Sequence, residues 1–114
     1  MSRALDDLAP SFRPLAMELL ARCVEARIDV RIIYTRRTPE EQADCVRRGT
    51  SRTMHSMHLS GRAMDICPAI LLMEKDWAPE DPLWLRLGEL GERIGLRWGG
   101  RWRRPDRPHF EEKS

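Results

Sequence analysis

Between residues 11 and 28, apolar side chains recur at Leu15, Leu19, Leu20, Cys23, Val24 and Ile28, with Arg13, Glu18, Arg22 and Glu25 elsewhere around the axis. These spacings of about three and four form one apolar stripe, so an amphipathic helix is expected here, with Ser11 as its N-cap. Val30, Ile32 and Tyr34 then alternate with Arg31 and Ile33, the period of a strand with at least one buried face. Thr38-Pro39-Glu40-Glu41 has the form of a capping box with Pro at the first helical position. It predicts a short helix from about Pro39 to Arg48, stopped at Gly49. Residues 50–60 are polar and aperiodic, a loop that feeds a short strand over Arg62 to Cys67. After a second irregular stretch from Pro68 to Asp81, Leu83, Leu87, Leu90 and Ile94 mark one face of another helix, with Gly95 as its stop. Leu96 to Trp98, a Gly99-Gly100 turn and a short strand around His109 to Glu111 complete the order. The expected fold class is α+β: a single domain over residues 1–114, with a small, mostly antiparallel sheet flanked by about three helices.

Composition narrows the function classes. With 114 residues, 41% hydrophobic and 33% charged, the chain suits one compact domain with one core. Its longest apolar run, Ala69 to Met73, falls far short of the ~20 residues a membrane span needs. The acidic N-terminal segment has no apolar run of the signal-peptide kind, so synthesis in the cytoplasm without a secretory signal is expected. A net charge of +2 supplies no broad positive field, and no nucleic-acid partner is expected. One local excess, Arg101, Arg103, Arg104 and Arg107 near Trp98 and Trp102, is the feature that would suit stacking on bases or gripping phosphates. Cys23, Cys45 and Cys67 are odd in number and form no Cys-x-x-Cys pair, so they read as small buried hydrophobes rather than a disulfide framework. Trp98 and Trp102 read first as core, with a tight glycine turn between them.

The candidate chemistry lies in two short segments, Ser56-Met57-His58-Leu59-Ser60-Gly61-Arg62-Ala63-Met64-Asp65 and Asp106-Arg107-Pro108-His109-Phe110-Glu111. His58 precedes a strand that holds Asp65, and His109 sits on a terminal strand able to pair alongside. Two imidazoles and one carboxylate form a three-ligand set typical of catalytic zinc, with a fourth position left for water. Asp106, three residues before His109, is placed to move a proton without occupying a coordination position. Singly, each of these residues reads as a surface, core or turn residue; their joint occurrence at these spacings points to a site. His55 matches neither pattern and reads as a loop residue, with a place on the cleft lining as the lesser alternative.

Taken together, Ser56-x-His58-x-x-Gly61-x-Ala63-x-Asp65 and the later Asp106-x-x-His109 resemble the zinc peptidases of the Hedgehog/D-Ala-D-Ala-peptidase fold. The likeness is to the L-alanyl-D-glutamate peptidases of phage endolysins and bacterial wall hydrolases in particular. Arg37-Thr38-Pro39-Glu40-Glu41-Gln42 is similar to that family's Arg-Thr-x-x-x-Gln segment. Gly95-Leu96-Arg97-Trp98-Gly99-Gly100-x-Trp102 is similar to its stretch before the last His.

The resemblance implies one zinc ion held by His58, Asp65 and His109, with Asp106 as catalytic acid/base. It implies Arg37 facing the substrate carbonyl or a stem-peptide carboxylate, and Gln42 and Ser56 lining the peptide cleft. The implied activity is hydrolysis of an amide bond in the peptidoglycan stem peptide, between L-Ala and D-Glu, by a monomer without a separate wall-binding domain. Such a chain would reach the wall after release, as a phage endolysin does through holin-made holes. The alternatives are a D,D- or L,D-carboxypeptidase on the same scaffold and a non-catalytic zinc-stabilised binding module. Two departures from the family pattern, Thr35-Arg36 before Arg37 and Arg101 after the double glycine, are expected to add positive charge near the cleft.

Overall fold

The computed structural model describes residues 1–113. Helix α1 spans Arg13–Glu25 and buries Ala16, Leu19 and Cys23. Its start differs from expectation. The residue before α1 is Phe12, which is fully buried and makes no side-chain cap, while the Ser11 hydroxyl donates to Glu112 Oε2 at 3.1 Å. Ser11 thus ties the helix entrance to the far end of the chain instead of capping the helix. Val24, counted on the apolar stripe, is 77% exposed.

Strand β1 is Val30–Tyr34 and helix α2 is Pro39–Arg47. The capping box forms as read: Thr38 Oγ1 accepts from the Glu41 N–H, and the Glu41 carboxylate accepts from the Thr38 N–H. Strand β2, Ala63–Pro68, is buried along its whole length. Helix α3, Leu83–Arg93, is entered by Asp81, whose Oδ1 accepts from the Leu83 N–H at 2.9 Å. Two short strands follow, β3 at Arg97–Trp98 and β4 at His109–Glu111.

The four strands form one antiparallel sheet in the order β1-β2-β4-β3. Side chains alternate across a sheet, so Met64, Ile66, Trp98 and Phe110 face a core shared with Phe12, Leu19, Leu87 and Leu96. Helix α3 approaches the sheet through glycines. A Cβ on Gly88 would lie 2.3 Å from the Trp98 ring, and one on Gly91 would lie 2.5 Å from the Phe110 ring. The opposite alternation sends Asp65, His109 and Glu111 away from that core. Helix α2 stands apart from the core cluster, and its buried residues are Gln42 and Cys45. All three cysteines are free and buried.

Candidate metal centre and catalytic cleft

Strand register builds the centre. Asp65 on β2 pairs directly with His109 on β4, so their side chains leave the sheet as cross-strand neighbours. His58 arrives from a different direction, on the 3-10 turn Met57–Ser60 that leads into β2. Ser56 caps that turn by accepting from the His58 N–H at 3.2 Å. Gly61 ends it at φ +72°, where the backbone of Asp7 and Ala9 packs so closely that a Cβ would meet atoms at 2.9 Å. The motif glycine is therefore required by both conformation and space. His58, Asp65 and His109 are all buried, and each places a ligand atom within 4.8 Å of the others.

The outer hydrogen bonds of the two imidazoles show that this set fits a metal. His58 Nδ1 lies 2.6 Å from the main-chain oxygen of Thr35, which can only accept, so Nδ1 carries the proton. Thr35 is brought there by an irregularity in the β1–β2 register between Ile32 and Tyr34. In the neutral ring, His58 Nε2 then turns a lone pair toward Asp65 Oδ1 at 3.0 Å. His109 is arranged the other way round. Its Nε2 is 2.7 Å from Glu111 Oε1, and its Nδ1 faces the same Asp65 oxygen at 3.1 Å. Two nitrogen lone pairs and a carboxylate converging in a buried space call for a cation between them. Zinc, which favours imidazole nitrogen and carboxylate oxygen, suits this donor set.

Without a metal, protons take up part of that role. Burial pushes the His109 imidazole down, but its hydrogen bonds to Asp65 and Glu111 prevail and hold it at about 9. For Asp65, burial works against the charged form, yet His58 and His109 keep the carboxyl well below the usual carboxylate range. Glu111 is lowered as well: burial opposes this, and His109 and Arg97 outweigh it. Arg97 Nη1 stands 3.3 Å from Glu111 Oε2, so Glu111 links His109 to an arginine at the surface.

A cleft of about 420 Å³ opens over the centre, lined by Arg37, Ser56, His58, Trp102, Asp106 and His109 among others. Asp106 stands at its rim, with a side chain 48% exposed and Oδ2 3.9 Å from His109 Nδ1. Burial of its inner side and the charge of Asp65 raise its pKa, while His109, His58 and Arg37 pull the other way. A carboxyl shifted upward beside such a cluster holds a proton more readily than an ordinary aspartate, which suits it to accepting and returning one.

Arg37 also reaches the cleft. Its Nη2 is 3.8 Å from Asp65 Oδ2, its guanidinium lies over the Tyr34 ring at 5.4 Å, and its main-chain N–H donates to the His58 carbonyl at 3.0 Å. Gln42, expected to line the cleft, does not. It is fully buried behind the wall, where Oε1 accepts from Arg37 Nη1 at 3.1 Å and Nε2 donates to Ser51 Oγ at 2.9 Å and the Thr53 carbonyl at 2.7 Å. It orients Arg37 and pins the loop over residues 51–53.

Further differences from the sequence reading concern charge and aromatics. Arg101 does not line the cleft: it pairs with Glu92 at 3.0 Å and covers the Trp98 ring at 5.3 Å. Arg36 is exposed and equally absent from the lining. Trp98 is buried core, its Nε1 donating to the Arg107 carbonyl at 2.7 Å. Trp102 is not core. Its ring lies 5.0 Å from that of His109 and walls the cleft. His55, read as a loop residue, is on that wall too.

Residues 49–112 match a peptidase family described as D-alanyl-D-alanine carboxypeptidase. The chain belongs to that family. The matched stretch includes His58, Asp65, Asp106 and His109, and leaves Arg37 and Gln42 outside it. The chain is 33% identical over 111 residues to an L-alanyl-D-glutamate peptidase of Listeria phage A118, a match covering 94% of this chain and 38% of the phage protein. It thus spans less than two fifths of that relative. Its fold is that of the Serratia marcescens L-Ala D-Glu endopeptidase ChiX, with a TM-score of 0.74, 24% identity, and coverage of 96% of this chain and 83% of the other.

Three residues that shape this family member's site escaped the sequence reading: Glu111, Thr35 and Trp102. Glu111 had a signal, since residues two apart on a strand share a face, and His109-x-Glu111 places a carboxylate beside the imidazole. Thr35 contributes only its main-chain oxygen, which no side-chain pattern reveals.

Proposed function

We propose that this chain is a zinc peptidase that hydrolyses the amide bond between L-Ala and D-Glu in the peptidoglycan stem peptide. The observation that carries the reading is the convergence of His58 Nε2, Asp65 Oδ1 and His109 Nδ1 in a buried space that opens on Asp106. In this reading His58, Asp65 and His109 hold one zinc ion, which when bound lowers the pKa of water to about 7 and polarises a carbonyl oxygen.

The chain's own residues do the rest. Asp106, free of the ligand set, takes a proton on a carboxylate oxygen and returns it to the leaving amine. Arg37, its Nη1 anchored by Gln42, turns its remaining N–H groups toward the developing negative charge or a substrate carboxylate. Trp102 shields one side of the centre from water, and Ser56 holds His58 in place through its main-chain N–H. In this reading residues 1–113 make up one catalytic domain, acting as a monomer. It acts on the wall after its release, as an endolysin would. Among the described residues no helix is long and apolar enough to cross a membrane.

A second reading, a D,D- or L,D-carboxypeptidase, is favoured by the description of the matched family. Digestion of purified peptidoglycan with the zinc-loaded chain separates the two. New D-Glu amino termini in the mass spectra support the endopeptidase, whereas release of free D-Ala with no new D-Glu terminus overturns it in favour of the carboxypeptidase.

A further inference from the structure

Beside the cleft lies a smaller groove of about 160 Å³, lined by Trp77, Pro79, Pro105, Arg107 and Pro108 among others, with Asp106 as the wall it shares with the cleft. Its form depends on an unusual piece of backbone. Asp76, Trp77 and Ala78 have φ values of 51°, 57° and 47°, with no glycine among them. L-residues adopt this left-handed geometry at a cost, and it persists where the surroundings over-determine it. Here they do. The Trp77 N–H donates to the Glu74 carbonyl at 3.0 Å and the Ala78 N–H to Lys75 at 2.9 Å, while the buried Trp84 donates from Nε1 to the Trp77 carbonyl at 3.0 Å. The result is a half-buried Trp77 held opposite the loop that carries Asp106.

The lining combines flat apolar surfaces, an indole and prolines, with the charged groups of Asp76, Asp106 and Arg107. This combination suits a ring that is apolar on its faces and rich in hydroxyl or amide groups at its edge. The proposed substrate carries such a ring close to the scissile bond. In a peptidoglycan stem the L-Ala amine is joined to a sugar through a lactyl group, so its carbonyl lies about two residue lengths, on the order of 7 Å, from the pyranose. Asp106 joins the two spaces: its carboxyl stands 3.9 Å from His109 Nδ1, and it also borders the groove, so the groove adjoins the centre on the side where such a sugar would lie. At the D-Ala end of the stem the scissile bond is three residues further on, roughly 10 Å more, and the sugar falls outside the groove.

We infer that the Trp77 groove is a saccharide subsite, which receives the sugar bearing the stem peptide and makes the chain prefer glycan-linked stems over free ones. The inference rests on the L-Ala-D-Glu reading of the cleft. Its test compares kcat/KM for a disaccharide-linked stem peptide with that for the same peptide carrying N-acetyl in place of the sugar and lactyl group. The wild-type chain is expected to favour the sugar-bearing substrate. Trp77→Ala is expected to lower that preference about tenfold, mainly through KM, the loss typical of removing a buried aromatic anchor, and Trp77→Phe to retain most of it. An equal loss on both substrates shows that the groove holds peptide or supports the fold, and no loss on either shows that it holds nothing; both overturn the inference. A wild-type chain that cleaves both substrates without preference overturns it while leaving the function intact. Failure to cleave either substrate contradicts the functional reading itself and removes the inference with it.

Discussion

His109 Nε2 and Glu111 Oε1 stand 2.7 Å apart, two residues along one strand, and that contact decides which nitrogen of His109 faces Asp65. A carboxylate fixed by Arg97 on its far side holds the Nε2–H, so Nδ1 is left for the centre. Outer partners of this kind are commonly worth 10–100-fold in metal affinity. Glu111→Ala is therefore expected to weaken zinc binding by about that factor while leaving the fold in place. Competition with a chelating dye measures it, and unchanged affinity removes Glu111 from this role.

Asp106 is assigned proton transfer and no share in holding the metal. Asp106→Asn should retain one zinc per chain and lose peptidase activity by roughly 10²–10⁴-fold, the usual contribution of a positioned acid/base. Metal analysis and a turnover assay on the same preparation test this. Loss of zinc from the variant would place Asp106 among the ligands instead.

The His109 imidazole, held at about 9 in the metal-free chain, ties stability to pH. A pKa raised by folding contributes fully below the unfolded value of about 6.5, and that contribution disappears as pH rises through about 9. Melting of the chelator-stripped protein should thus show stability falling from pH 6.5 toward 9 through this group. The same proton occupies the nitrogen needed by the metal, so apparent zinc affinity should also fall as pH is lowered. Stability that rises, or zinc affinity that falls, from pH 6.5 toward 9 would show that His109 is not the group responsible.

Helix α3 meets the sheet where Gly88 and Gly91 leave no room for a side chain, since a Cβ at either would press on the buried Trp98 or Phe110 ring. Gly91→Ala is expected to cost about 1–3 kcal/mol through overpacking, although alanine is the better helix former. A thermal melt reads the loss. A gain in stability would mean that the rings shift freely and that the interface is looser than described.

Much of this arrangement was legible in the sequence, because local rules and tertiary demands agree. The Thr38 capping box, the alternation in β1 and the apolar face of α3 each specify an element from a few neighbouring side chains. The convergence of His58, Asp65 and His109 was equally legible, since the spacing of the first two follows the β2 strand and its lead-in turn. What escaped was decided by partners distant along the chain. Ser11 has the chemistry of an N-cap, but it is engaged by Glu112 from the opposite terminus. Gln42 was expected to line the cleft, but Arg37 and the loop at residues 51–53 close over it. Trp102 and Trp98 have the same intrinsic preferences, and the turn between them puts one over His109 and the other in the core. Arg101 suggested charge at the cleft, and Glu92 on α3 draws it away.

Metal-dependent cleavage at the site formed by His58, Asp65 and His109 is the property that follows most directly from this geometry. The decisive measurement follows soluble fragments released from purified peptidoglycan by the chain as prepared, after removal of metal by chelation, and after restoration of one equivalent of zinc. Release, then none, then recovery is the expected result for a metal-dependent site, with no recovery in His58→Ala. Undiminished release from the stripped chain would contradict it.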